Sequence, residues 1–106
     1  MPPYALDELR DRVAEAARTY NEQVEEPNKI RKVSLFGSYA KGTANSASDI
    51  DLLVSFTSAV VSLFTLAKVL SSMEQHLEAS VDVVQDPVPD DSLLVIEEVI
   101  PLYERG

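Results

Sequence analysis

Leu6, Leu9, Val13, Ala16, Tyr20 and Val24 recur at steps of three or four with charged residues between them. This spacing predicts an amphipathic helix from about Leu6 to Val24. Glu25-Glu26-Pro27-Asn28 ends it. The short, partly apolar run Lys32 to Phe36, closed by Gly37, reads as a strand followed by a turn. Thr43 to Ser48 has the composition of a loop, and Asp49 to Phe56 reads as a second strand. Leu63, Leu66, Leu70, Met73 and Leu77 then step by three, four, three and four, which predicts a second amphipathic helix between Val60 and Leu77 with that stripe in the core. Ser80 to Val84 is a short β-branched strand, and Asp86-Pro87-Val88-Pro89 breaks the chain. Asp90 or Ser92 can cap a short helix through Glu98, after which Pro101 leaves Val99 to Tyr103 as an edge strand. The order of elements predicts an α/β (α+β) sandwich, a small mixed sheet with helices packed against it.

Composition narrows the picture. A chain of 106 residues with 45% hydrophobic and 25% charged side chains is expected to form a single globular domain, residues 1–106, with one core. No cysteine is present, which removes disulfides and thiolate metal sites and fits a reducing compartment. The N-terminus Met1-Pro2-Pro3-Tyr4 does not resemble a secretory signal, and no apolar run is long enough to span a bilayer, so a cytoplasmic protein with no membrane partner is expected. Eighteen acidic side chains against nine basic ones give a formal net charge of −9. That balance opposes tight binding to a nucleic-acid backbone and favours a small nucleotide or a basic protein surface.

Asp49 and Asp51 stand at alternate positions of an otherwise apolar strand. Side chains there alternate between faces, so both acids point the same way, about 7 Å apart along the backbone. Burying two unpaired carboxylates on one face is unfavourable and their repulsion raises a pKa, so a cation is expected between them. Hard oxygen donors in this number suit Mg²⁺. Asp82, inside Val81-Asp82-Val83-Val84, is the third acid. If its strand lies beside Asp49 to Phe56, the three carboxylates can hold two metal ions for phosphoryl or nucleotidyl transfer, with Asp82 placed to receive a proton. Gly37 permits a turn with close backbone approach to a ligand, and Ser38 is expected to begin a short helix whose N–H groups and hydroxyl meet phosphate oxygens. Lys41 is a further phosphate contact or a solvated side chain. His76 reads as a surface histidine, and Glu22, Glu25, Glu26, Asp90 and Asp91 as solvated surface.

Gly37-Ser38, ten intervening residues, then Asp49-Ile50-Asp51 resembles the GS-x10-DxD motif of the DNA polymerase β-like nucleotidyltransferases. The fuller string GSYAKGT followed by SDIDLLV is similar to the minimal (MNT) branch, and Asp82 stands where that family carries its third carboxylate. The resemblance runs from about Leu35 to Glu104, and it departs at Lys41, where relatives commonly carry arginine.

The resemblance implies the polymerase β-like fold, with Asp49, Asp51 and Asp82 as catalytic residues and ligands of two Mg²⁺ ions, and Gly37 and Ser38 in nucleotide binding. It also implies transfer of AMP from ATP to a hydroxyl, with pyrophosphate leaving. Many minimal members act as antitoxins that adenylylate a tyrosine of a HEPN-domain RNase toxin, so such a toxin is the expected partner. Two other readings stand beside it: a binding module that neutralises a toxin only by covering its active site, and a nucleotidyltransferase acting on a small molecule such as an aminoglycoside.

Overall fold

In a computed structural model, residues 5–43, 49–58, 60–86 and 99–105 are described. The first helix, α1, runs Leu6–Asn21 and buries Leu9, Val13, Ala16, Ala17 and Tyr20 along one side. It ends three residues before Val24, at Asn21, whose side chain holds the next element. Its Oδ1 accepts from the Ile30 amide at 2.7 Å and its Nδ2 donates to the Ile30 carbonyl at 3.0 Å. Val24 still packs on the core, but from the turn.

A 3₁₀ turn at Glu26–Asn28 leads into β1, Ile30–Phe36. Five residues, Gly37–Lys41, form α2, which stops at Gly42 in the left-handed conformation with φ 77°. That turn lets the Thr43 amide reach the Ser38 carbonyl at 2.9 Å. Strand β2 is Ile50–Phe56, α3 is Leu63–Leu77, β3 is Val81–Asp86 and β4 is Ile100–Glu104. The helix expected between Asp90 or Ser92 and Glu98, and the loop at 44–48, lie outside the described residues.

Among the described residues, four strands form one mixed sheet in the order β3-β2-β1-β4. β1 is antiparallel to β2 and to β4, whereas β2 and β3 are parallel and joined through α3. Val33, Leu35, Ile50, Leu52 and Val54 alternate onto one face and share a core with α1 and α3. The expected mixed sheet with packed helices is the observed architecture, and the β4 segment is at its edge.

The α3 stripe differs from the expectation. Thr65, Val69, Met73 and Leu77 are the buried positions, Leu66 and Leu70 only flank them, and Leu63 is 83% exposed. The helix starts at Leu63 because Ser62 caps it, accepting from the Thr65 amide at 3.1 Å. Thr65 can be buried since its hydroxyl lies 3.2 Å from that of Ser62. Phe64, also exposed, is covered in part by the Lys68 ammonium, 5.1 Å from the ring centroid.

Glu26 is more than a solvated acid. Its carboxylate takes both ends of the Arg105 guanidinium, at 2.6 and 2.9 Å, and so ties the 3₁₀ turn to the end of β4. Among the described residues, no helix is long and apolar enough to cross a membrane.

Candidate active site

α3 packs against one face of β2 and β3, and the acids stand on the opposite face. On that face the parallel ladder sets Asp51 opposite Asp82, Leu53 opposite Val84 and Ser55 opposite Asp86. The pairing expected from the sequence, Asp82 beside the strand of Asp51, is therefore the observed register. Asp51 is half-buried and Asp82 is exposed on the sheet's outer strand. Asp49 is exposed just ahead of β2, whose ladder begins with the Ile50 amide donating to the Ser80 carbonyl at 3.0 Å.

Burial is the main cause that pushes the Asp51 carboxyl above the usual carboxylate range. The charge of Asp82, a hydrogen bond between the two carboxyls and the charge of Asp49 push it further the same way. Asp49 thus acts on Asp51 through charge, while Asp82 also touches it. Among the described residues, no group of three or more acid, histidine or cysteine side chains is gathered closely enough to hold a metal ion. The expected three-acid cradle is a joined pair with Asp49 nearby. The ladder fixes Asp51 and Asp82, whereas Asp49 precedes it.

The pair fits a divalent cation by its chemistry. Two adjacent carboxylates, one of them resisting ionisation, are hard oxygen donors whose repulsion a dication relieves, and phosphate oxygens can complete its shell.

Gly37 closes the inner side of the site. Phe36 lies opposite Asp51 in the β1–β2 ladder, so the residue after it meets the Asp51 carboxylate. Gly37 has φ +73°, and a Cβ built there would overlap Asp51 Oδ2 and stand 3.0 Å from Cγ. From the sequence, this glycine is expected to permit close approach to a ligand. The structure gives it a second, more direct reason: the Asp51 side chain fills the space a Cβ would take. Ser38 follows in the first turn of α2, partly exposed, and Lys41 is exposed at its end.

His76, expected at the surface, is half-buried on α3. Its Nδ1 lies 2.9 Å from the Ser72 carbonyl, and it lines a cleft of about 360 Å³ between α1 and α3 together with Thr19, Tyr20 and Lys68.

A family model described as "Polymerase beta, Nucleotidyltransferase" matches residues 19–104. A Methanocaldococcus jannaschii protein named as a candidate protein adenylyltransferase is 29% identical over 72 residues, 68% of this chain and 72% of its own. A solved candidate minimal nucleotidyltransferase is 33% identical with a TM-score of 0.59, covering 77% of this chain and 78% of its own. The solved complex of a tri-AMPylated Shewanella oneidensis HEPN toxin with an MNT antitoxin matches with a TM-score of 0.64 at 16% identity, over 95% of this chain and 74% of its own, a likeness of fold. With a sheet that joins Asp51 to Asp82 beside Gly37, and a family match over most of its length, the chain belongs to the polymerase β nucleotidyltransferases, in their minimal form.

Proposed function

We propose that this domain transfers AMP from ATP to a tyrosine hydroxyl of a HEPN-domain toxin and thereby neutralises it. The observation that carries the reading is the Asp51–Asp82 pair, set face to face by the β2–β3 register and backed by Gly37. The adenylyltransferase name of the M. jannaschii relative and the AMPylated toxin in the S. oneidensis complex support AMP as the group and a protein as the acceptor.

The acceptor oxygen bonds to the α-phosphorus of ATP, the bond from that phosphorus to the bridging oxygen breaks, and pyrophosphate leaves with its electron pair. Asp82, the more exposed of the pair, takes the acceptor proton, and Asp51 behind it fixes its position. Gly37 and Ser38, at the start of α2, receive the phosphates, and Lys41 at its end adds a positive charge. Asp51 and Asp82 would hold Mg²⁺ with Asp49 closing in from the entrance of β2, two ions in this reading, and the cation when bound offsets charge on the phosphoryl oxygens and the leaving group. Exposure of Asp82 leaves the acceptor side open, which suits a protein surface as its wall.

The test is to incubate the chain with ATP, Mg²⁺ and the product of its neighbouring gene, and to read the intact mass of each. A gain of one or more AMP groups on the partner, lost in Asp51→Asn, supports transfer. If Asp51→Asn blocks the partner's RNase activity as fully as the native chain does, neutralisation is by masking. AMP appearing on a small molecule with none on the partner would replace the protein acceptor.

A further inference from the structure

β3 reaches β2 through α3, with no hairpin turn to dictate which residue stands opposite which. In such a parallel pair the side chains must set the register. Val81, Val83 and Gln85 oppose Ile50, Leu52 and Val54 on the helix-facing side. A slip of one residue would turn Asp82 into the core and is excluded by that pattern. A slip of two residues keeps every side chain on its proper face, so apolar patterning resists it only weakly. Charge works against the observed register, because ionised acids directly opposite each other destabilise a ladder, and the hydrogen bond that the Asp51 and Asp82 carboxyls share exists only while one of them keeps its proton.

Four positions along the same face, Ser55 is opposite Asp86, and its Oγ donates to Asp86 Oδ2 at 2.9 Å. Ser55 is 4% exposed, so its hydroxyl has little access to water. Moving β3 by two residues would put Val84 opposite Ser55, or carry Asp86 past it, and leave the buried hydroxyl without this acceptor. We infer that the Ser55–Asp86 hydrogen bond is the register pin that keeps Asp51 opposite Asp82, which makes Ser55 and Asp86 positioning residues for the transfer proposed above. The inference rests on that reading for its catalytic consequence only.

The test uses the full chain. In Ser55→Ala and Asp86→Ala, the cross-strand nuclear Overhauser effects that pair Asp51 with Asp82 and Leu52 with Val83 weaken or vanish in metal-free protein. The Mg²⁺ concentration for half-maximal AMP transfer rises about tenfold, on the scale of one hydrogen bond to a charged group. Saturating Mg²⁺ restores the rate, because the cation itself draws the acids together. Ser55→Thr keeps the hydroxyl and retains both native properties, while Val69→Ala, a packing loss on α3, lowers stability and leaves the Mg²⁺ requirement alone. Native cross-strand effects in both alanine variants overturn the pin, as does a Mg²⁺ requirement in them equal to that of the native chain. Should Ser55→Ala fail to fold, Asp86→Ala at the half-buried partner decides alone. If the native chain transfers no AMP at all, the function falls, and the resonance measurement still decides the pin.

Discussion

Gly37 and Asp51 compete for one volume: the Asp51 carboxylate lies where a Cβ on residue 37 would be, and Gly37 holds φ +73°, which L side chains rarely adopt. Gly37→Ala is therefore expected to displace Asp51 and to strain the turn. Because a displacement of about 1 Å at a reacting group can lower a rate by about a hundredfold, kcat for AMP transfer should fall on that scale. Steady-state kinetics with a thermal melt check it, and a native kcat would show that Asp51 need not stand where it does. Gly42→Ala is the informative comparison, since it shares the positive φ but has nothing within reach of a Cβ. It should lower Tm with a much smaller effect on kcat.

Asp51→Asn should raise the Tm of metal-free protein at neutral pH. Burial and the neighbouring acids raise the folded-state pKa of Asp51 above its unfolded value. The contribution of such a group to stability is therefore full below the unfolded pKa and is lost as pH rises through the folded one. Asparagine removes that loss. Mg²⁺ should stabilise the native chain and leave Asp51→Asn nearly unmoved. Melting curves with and without Mg²⁺ measure both effects, and a lower Tm for the metal-free variant would contradict the electrostatic account.

Glu26→Gln should destabilise the chain in a defined pH window. Arg105, by hydrogen bond and by charge, holds the Glu26 carboxyl at about 2, below its ordinary 4.5. A depressed folded pKa contributes stability that is full above the unfolded value and disappears as pH falls through the folded one. The Tm difference between native and Glu26→Gln proteins should be largest above pH 4.5 and should close by about pH 2. Both partners are partly exposed, so high salt should shrink it at neutral pH. A difference independent of pH would sink the assignment.

Leu77→Ala and Leu63→Ser should part company. Leu77 is fully buried and Leu63 is 83% exposed. The first change should destabilise the fold by about 2–5 kcal/mol, by lost transfer energy and a cavity. The second should alter stability by no more than about 0.5 kcal/mol, as surface substitutions do. Urea unfolding measures each, and equal losses would restore Leu63 to the core.

The chemical core of the site was legible because it depends on local spacing. Gly37-Ser38 at a fixed distance from Asp49-Ile50-Asp51, with Asp82 in a valine run, is a pattern that survives without knowing how the chain folds. The elements were legible for a similar reason: period two and period three to four are properties of the backbone itself. Their boundaries were less so. α1 stops at Asn21, whose side chain bonds Ile30, a contact between two elements that the spacing of apolar residues does not contain.

Sequence by itself determined the alternation of β2, the amphipathic character of α1 and the identity of the three acids. Only the tertiary structure decided which acids meet. Strand pairing across a helical crossover put Asp82 on Asp51 and left Asp49 to act from the strand's entrance, since a ladder constrains only the residues within it. The same holds for α3. A stripe of leucines states that a helix has an apolar side, but packing against the rest of the core buried Thr65, Val69, Met73 and Leu77 and left Leu63 exposed. Periodicity records which residues share a direction, and packing alone sets where that direction points.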